Sequence, residues 1–152
     1  MAFTVETRCS GQFSSPHSAS GTLHFITDYE TSIAKHFEGL KSFTKEGPDT
    51  YRWTFESLRY GGQELTITFV TRFERCSEHE VRIVPVKNTD KAALSGRWHL
   101  SPSAQGTKVT FEATLSGELP LPSLMKGMVT PLAQREIKKL FDRYIHNVAK
   151  AI

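Results

Sequence analysis

Hydrophobic and polar residues alternate along most of the chain, and a period of two residues is typical of β-strands. In the first such segment, residues 3–13, one face consists of Phe3, Val5, Thr7, Cys9 and Phe13, while polar residues occupy the other. Five later segments repeat the alternation: "TYRWTFESLRY", "ELTITFVTRF", "EVRIVPV", "ALSGRWHLS" and "KVTFEATLSG". Because their connections are short, the pattern predicts an antiparallel, meandering sheet of six or seven strands.

Two short helices are predicted after the first strand. Ser15 can cap a helix that has Pro16 at its first position. Thr27 and Glu30 have the spacing of a capping box for a second helix, which would end before Gly39.

The sequence "GGQ" at residues 61–63 lies between two strongly alternating strands. These three letters also end a peptide-release motif. A Gly-Gly pair between two strands is what a tight hairpin with positive φ needs, and we therefore interpret it as a turn.

The hydrophobic period changes to about 3.6 residues in the last thirty residues or so, which predicts a long C-terminal helix. The predicted apolar stripe consists of Leu121, Leu124, Met125, Met128, Leu132, Ile137, Leu140, Phe141, Tyr144, Ile145, Val148 and Ile152. A helix of this length crosses the whole domain, so its stripe is expected to face the apolar side of a sheet that curls around it.

The two halves of this helix differ in composition. The first half contains Gly127, Pro131 and two methionines, whereas the second half is rich in large aliphatic and aromatic residues. Proline favours a kink, and methionine often lines surfaces that accept varied apolar partners. The first half therefore has the character of a movable pocket wall, although Met125 and Met128 could equally fill gaps in a solid core.

The composition is that of one ordinary domain. The chain has 152 residues, of which 38% are hydrophobic and 11% aromatic. Its net charge of +3 is too low to indicate a nucleic-acid partner. Six basic and two acidic residues follow Pro122, so the helix could present a basic face to a membrane or an acidic protein. A solvated face is the simpler interpretation.

Targeting signals and metal sites are not expected. The first residues lack the apolar run of a secretory signal, and no apolar run approaches the length of a membrane span. Two cysteines, Cys9 and Cys76, do not make a disulfide framework, so we expect a cytoplasmic protein with reduced thiols. The six histidines form no zinc-binding spacing, and we predict neither a metal nor a cofactor.

The order of the elements resembles that of the SRPBCC superfamily, whose helix-grip fold is shared by START lipid-transfer domains, polyketide cyclases and coenzyme Q-binding proteins. The resemblance covers essentially the whole chain as a single domain, 1–152. The segment "SSPHSASGTLHFITDYE" is similar to the first helices of the family. The last two paired strands of the family have a W-x-L…G-T-x-V-x-F pattern. In this chain the matching residues are Trp98, Leu100, Gly106, Thr107, Val109 and Phe111.

The resemblance implies an α+β helix-grip fold with a hydrophobic cavity between the sheet and the C-terminal helix. The inward positions of the strands and the first half of the helix supply the predicted lining: Trp53, Phe55, Ile67, Phe69, Ile83, Trp98, Phe111, Met125, Met128 and Leu132. Arg59 and Thr71 are candidate polar groups of the cavity, since a few polar groups orient a ligand in such sites. Arg59 could meet a ligand carboxylate or enolate, or could reach water at the rim.

Three functions remain open at this point. The chain could bind or carry a hydrophobic small molecule such as a lipid, an isoprenoid or a polyketide. It could instead be an enzyme of the polyketide cyclase or aromatase type, which needs inward acid–base groups. It could also be a protein-interaction domain with a filled core. The predicted inward positions are poor in acid–base groups, so we assign no catalytic residue and favour binding over catalysis.

Overall fold

The structure is a computed structural model that describes residues 2–60, 63–87 and 90–152. The side chains of Leu58, Arg59, Tyr60, Gln63 and Leu65 are outside the described part. The strands are β1 (Phe3–Ser15), β2 (Leu40–Gly47), β3 (Thr50–Phe55), β4 (Leu58–Tyr60), β5 (Gln63–Leu65), β6 (Thr68–Ser77), β7 (Glu80–Pro85), β8 (Ala92–Ser103) and β9 (Gly106–Leu119). Two α-helices, α1 (Ala19–Thr27) and α2 (Lys126–Ala151), complete the main framework, and a π-helical turn (Glu30–Ala34) and a 3-10 turn (Ser123–Met125) precede β2 and α2.

Seven strands form one antiparallel sheet in the order β1-β9-β8-β7-β6-β3-β2, and α2 lies against it along β1. Strands β4 and β5, which follow β3 and precede β6 along the chain, form a separate two-stranded ladder. This is the α+β helix-grip arrangement that the sequence predicted. The turn predicted at Gly61 and Gly62 lies outside the described residues.

The residues at which the helices after β1 begin differ from the prediction. Helix α1 begins at Ala19, and the Ser18 side chain caps it by accepting a hydrogen bond from the Gly21 N–H. Ser15 cannot be this cap because it is the last residue of β1, where its hydroxyl accepts a hydrogen bond from Thr22. The predicted capping box at Thr27 is also wrong: Thr27 ends α1 and its hydroxyl donates to the Leu23 carbonyl.

Strand β2 was not predicted from the sequence. Within the described part of the sheet it is an edge strand that pairs with β3, and its register shifts twice along that pairing. Leu40 and Phe43 are its only large apolar residues, so no alternation marks it. The predicted continuous strand over residues 51–60 is likewise divided into β3 and β4.

The core lies between the middle of the sheet and the second half of α2. Phe141, Tyr144, Ile145 and Val148 of the helix are buried against the sheet. Phe37, which follows the π-helical turn, packs against rings from both sides and thereby joins the helix to the sheet; its partners are Trp53, Phe55, Phe141 and Tyr144. A smaller cluster of Phe3, Val5, Leu121 and Val129 lies near the start of α2.

Two residues of the predicted helical stripe do not face the sheet. Leu124 is 99% exposed and Met128 is 62% exposed. Helix α2 begins at Lys126, after the 3-10 turn, so the rotation of the chain before it differs from that of a continuous helix. Val129, which was not in the stripe, takes the inward position.

Candidate functional site

A cavity of about 500 Å³ lies between the first half of α2 and one end of the sheet. Strands β1, β8 and β9 form one wall, α2 forms the opposite wall, and the segment joining β5 to β6 closes a side. Its apolar lining consists of Val5, Ile67, Ala92, Leu115, Leu119, Pro120, Val129, Leu132, Ala133, Ile137 and Leu140. The sequence had indicated a pocket wall in this half of the helix.

The cavity lies where the facing side chains are small. Val5, Gly117 and Ala92 form one row across β1, β9 and β8, and Ala133 lies on the helix wall. The other end of the sheet is filled by aromatic rings, which pack at centroid distances such as 5.1 Å between Trp98 and Phe111. Helix and sheet therefore meet through bulky rings at one end and leave space at the other.

Polar groups of the cavity lie along its edge. The lining includes four carboxylates, one ammonium group and two hydroxyls: Glu64, Asp90, Glu118, Glu136, Lys91, Thr66 and Thr68. All are exposed except Asp90 and Thr68, which are partly buried. The apolar interior thus has a hydrophilic rim.

Arg52 links the rim residues Asp90 and Thr68 to strand β3. Its guanidinium lies 2.8 Å from a Glu46 oxygen and 3.1 Å from an Asp90 oxygen, and it donates to the Thr68 hydroxyl at 3.2 Å. Asp90 precedes β8, so this network ties the entry of β8 to β3 and β6.

The predicted lining residues fall into three groups. Ile67 and Leu132 line the cavity. Six others are buried in the main core, where they pack against one another or against α2 and not against the cavity: Trp53, Phe55, Phe69, Ile83, Trp98 and Phe111. Met125 packs against the small cluster near the start of α2, and Met128 faces solvent.

The two candidate polar groups have different outcomes. Thr71 is fully buried, and its hydroxyl accepts a hydrogen bond of 2.8 Å from the Trp53 indole N–H. It satisfies a donor inside the core and does not line the cavity. Arg59 lies on β4, but its side chain is outside the described part, so its role stays a prediction.

Most of the helix wall and the row of small residues were not predicted from the sequence as cavity lining. Val129, Ala133, Ile137 and Leu140 follow each other at helical spacing, and Ile137 and Leu140 were already in the predicted stripe. The missing signal was residue size: aromatic residues fill a cavity, whereas Ala92, Gly117 and Ala133 leave one open.

A second concavity on the outer face of the sheet is polar. Arg8, Arg82, Arg97 and Glu112 are among its lining residues. Arg82 pairs with Glu80 at 2.9 Å, and Arg97 pairs with both Glu80 and Glu112. Most of its charge is therefore balanced locally, and its walls do not suit an apolar ligand.

Cys9 is a buried thiol of β1. Burial, with a smaller effect from the Asp142 carboxylate, raises the pKa of the Cys9 thiol to about 11, so this thiol is protonated at neutral pH. No group of three or more His, Cys, Asp or Glu side chains in the described part is arranged to hold a metal ion. Neither α1 nor α2 combines the length and apolar character needed to cross a membrane.

Comparisons with known proteins bear on the fold. No model of a protein family matches the chain, and no curated protein sequence matches it. Solved structures do match. KanY has a TM-score of 0.62 at 15% identity, with 98% of this chain and 97% of that chain covered. The protein TTHA0849 from Thermus thermophilus has a TM-score of 0.58 at 19% identity, with 96% and 98% covered.

A third match has a described activity. The Zhui aromatase/cyclase from Streptomyces sp. R1128 has a TM-score of 0.54 at 13% identity, and 99% of this chain and 91% of that chain are covered. The chain has the helix-grip fold. At these identities the likeness concerns the fold alone, and at that level the resemblance inferred from the sequence is confirmed.

The basic side chains of α2 are exposed, as the sequence suggested: Lys126, Arg135, Lys138, Lys139, Arg143 and Lys150. Two of them face acidic neighbours, since Lys139 lies 3.5 Å from Glu136 and Arg143 lies 3.9 Å from Glu38. A transient membrane or protein contact through this face, and a cytoplasmic location, stay predictions.

Proposed function

We propose that the chain binds a hydrophobic small molecule, such as a lipid, an isoprenoid or a polyketide, in the cavity between the sheet and the first half of α2. The observation that carries the proposal is the cavity itself: about 500 Å³, with aliphatic walls and polar groups only along its rim. This volume is within the range of about 300–1,000 Å³ that is typical of small-molecule sites.

Binding is favoured over catalysis by the chemistry of the lining. An aromatase or cyclase needs acid–base groups that reach the bound substrate. The described lining residues include no His, Cys, Tyr or Arg, and most of the carboxylates are at the solvent-exposed edge. The resemblance to an aromatase/cyclase structure therefore supports a shared ligand-holding fold more than a shared reaction.

Filling the cavity tests the proposal. Ala133→Phe on the helix wall and Ala92→Phe on the sheet wall each place a ring in the space that a ligand would occupy, because both alanines line it. We expect each to weaken the binding of the neutral fluorescent probe N-phenyl-1-naphthylamine at least about tenfold, the cost of roughly 1.4 kcal/mol of lost contact. Fluorescence titration measures this affinity.

Met128→Phe is the matched control. It adds a ring to the same helix, but Met128 is 62% exposed, so probe affinity should stay unchanged. Circular dichroism checks that all three variants are folded. If both cavity variants bind the probe as well as the parent does, the probe binds elsewhere and the proposal is wrong.

Native mass spectrometry of freshly purified protein, before and after extraction with organic solvent, searches for a ligand acquired in the cell. A retained mass that disappears on extraction, and that is absent from Ala133→Phe, would identify the cargo. A mass that persists in both cavity variants would place the bound compound outside the cavity.

A further inference from the structure

The charges of the rim restrict what the cavity can hold. Four elements or connections contribute a carboxylate to it: Glu64 from β5, Asp90 from the segment before β8, Glu118 from β9 and Glu136 from α2. The rim therefore has acidic groups on the sheet side and on the helix side of an otherwise apolar cavity.

The basic groups near this rim do not balance it within the described part of the chain. Arg52 lies 2.8 Å from a Glu46 oxygen and 3.1 Å from an Asp90 oxygen, so its charge is shared between two carboxylates. Lys139 lies 3.5 Å from Glu136. Both side chains are exposed, so water and salt screen the attraction between their charges.

Lys91 is the one basic residue of the described lining, against four carboxylates. It lies next to Glu118 in space, since the Glu118 N–H donates to the Lys91 carbonyl at 2.9 Å. Lys91 can offset one carboxylate, so the described side chains of the lining keep an acidic excess even when Asp90 is left out of the count.

We infer that the cavity takes an apolar ligand whose polar end donates hydrogen bonds and carries no negative charge, such as an amine or an alcohol. This inference rests on the proposed function. A carboxylate oxygen accepts hydrogen bonds but offers none, so an acidic rim attracts an ammonium group or a hydroxyl donor. A ligand carboxylate at this rim would be repelled by the like charges of the protein and would lose part of its hydration.

This inference opposes the role that the sequence suggested for Arg59. A cation at that position would favour a carboxylate or an enolate at the rim. In the ladder of β4 and β5, Arg59 is opposite Glu64. The two expectations predict opposite orders of affinity, so one experiment decides between them.

Three probes that share one apolar chain provide the experiment: decylamine, 1-decanol and decanoate, each displacing N-phenyl-1-naphthylamine at neutral pH. We expect decylamine to bind at least as tightly as 1-decanol, and decanoate to bind roughly three- to tenfold more weakly than 1-decanol at about 0.01 M salt. The difference should shrink at about 0.5 M salt, because exposed charges are screened there.

The double variant Glu64→Gln and Glu118→Gln removes two rim charges while keeping similar shapes. It should reduce the difference in affinity between decanoate and decylamine, and it should change the affinity of the uncharged 1-decanol less than that of either charged probe. The matched control is Glu78→Gln, an exposed residue between β6 and β7 that does not line the cavity; it should leave all three affinities unchanged.

The outcomes separate this inference from the proposed function. If decanoate binds tightest and Ala133→Phe abolishes its binding, the cavity holds a ligand but the inference is wrong, and Arg59→Gln should then remove the preference. If 1-decanol fails to displace the dye at any salt concentration, the proposed function is wrong and the inference with it.

Discussion

At the scale of single residues, two buried threonines on the inward face of the sheet have opposite hydrogen-bonding states. The Thr71 hydroxyl accepts the Trp53 indole N–H at 2.8 Å inside the core. Thr7 is 1% exposed, and its hydroxyl has no hydrogen-bond partner among the described residues. Sequence alternation predicted that both face inward. It could not show that the Thr71 hydroxyl has a hydrogen-bond partner and that the Thr7 hydroxyl has none among the described residues.

The same substitution should therefore have opposite effects at these two sites. Thr71→Val leaves a buried indole N–H without an acceptor and should lower the free energy of unfolding by about 1–3 kcal/mol. Thr7→Val replaces an unpartnered hydroxyl by a methyl group and should be neutral or stabilise the protein by up to about 1 kcal/mol. Urea unfolding, followed by circular dichroism, measures both.

Equal destabilisation by the two variants would contradict this account. It would mean that the change of side-chain shape, and not the hydrogen bond, sets the cost at both positions. Probe binding should be unchanged in Thr71→Val, because Thr71 does not line the cavity.

At the scale of elements, the connection between β8 and β9 depends on one glycine. Gly106 has a φ of +136°, and a Cβ atom there would meet the Ser15 carbonyl oxygen at the end of β1. The sequence "SAQG" at residues 103–106 is typical of a turn, but the contact with β1 depends on how β1 pairs with β9, which no local pattern reveals.

Gly106→Ala should destabilise the protein by about 2 kcal/mol or more, since it combines an unfavourable φ with a clash against backbone. Gly127→Ala is the control: Gly127 lies in the first turn of α2 with nothing within 4 Å of its Cβ position, so alanine there should be neutral or stabilise by up to about 1 kcal/mol. Thermal unfolding compares the two. A Gly106→Ala variant as stable as the parent would mean that the turn relaxes without cost.

Elements with a strong period were predictable, and those without one were not. β1, β8 and β9 alternate clearly, and they pair along nearly their whole length. β2 has few apolar residues and lies at the edge, so its sequence resembles a loop. The stripe of α2 was predicted correctly in its second half, where packing against the core fixes the helix. It failed at Leu124 and Met128, before and just after the helix begins.

At the scale of the whole molecule, the large aromatic residues that were predicted to line the cavity form the packed core. The sequence assigned the large aromatic residues to a ligand site, because a bulky inward residue can equally line a cavity or fill it. In the fold, Phe37 inserts between the sheet and α2 and completes a packed aromatic core. The space remains at the end of the sheet where Gly117 faces Val5 and Ala92. The general position of the cavity was predictable, but its lining depended on which elements bring bulk to the centre.

This aromatic core also gives the protein a predictable response to alkaline pH. Burial raises the pKa of the Cys9 thiol from 9.0 to about 11. Burial also raises the pKa values of Tyr29 and Tyr144 well above the ordinary value of 10.0, with an additional effect of Asp49 on Tyr29. These groups lose their protons more readily in the unfolded chain than in the folded one.

Stability should therefore be fully present below pH 9.0 and fall as the pH rises, first through Cys9 between 9.0 and about 11 and then through the tyrosines from 10.0 upward. Urea unfolding midpoints measured across this range test the prediction. Tyr144→Phe removes one ionisable hydroxyl from the core, so its midpoint should fall less steeply with pH than that of the parent. A parent midpoint that stays constant up to pH 11 would show that these side chains ionise as freely in the folded protein as in the unfolded chain, and hence that the core admits water.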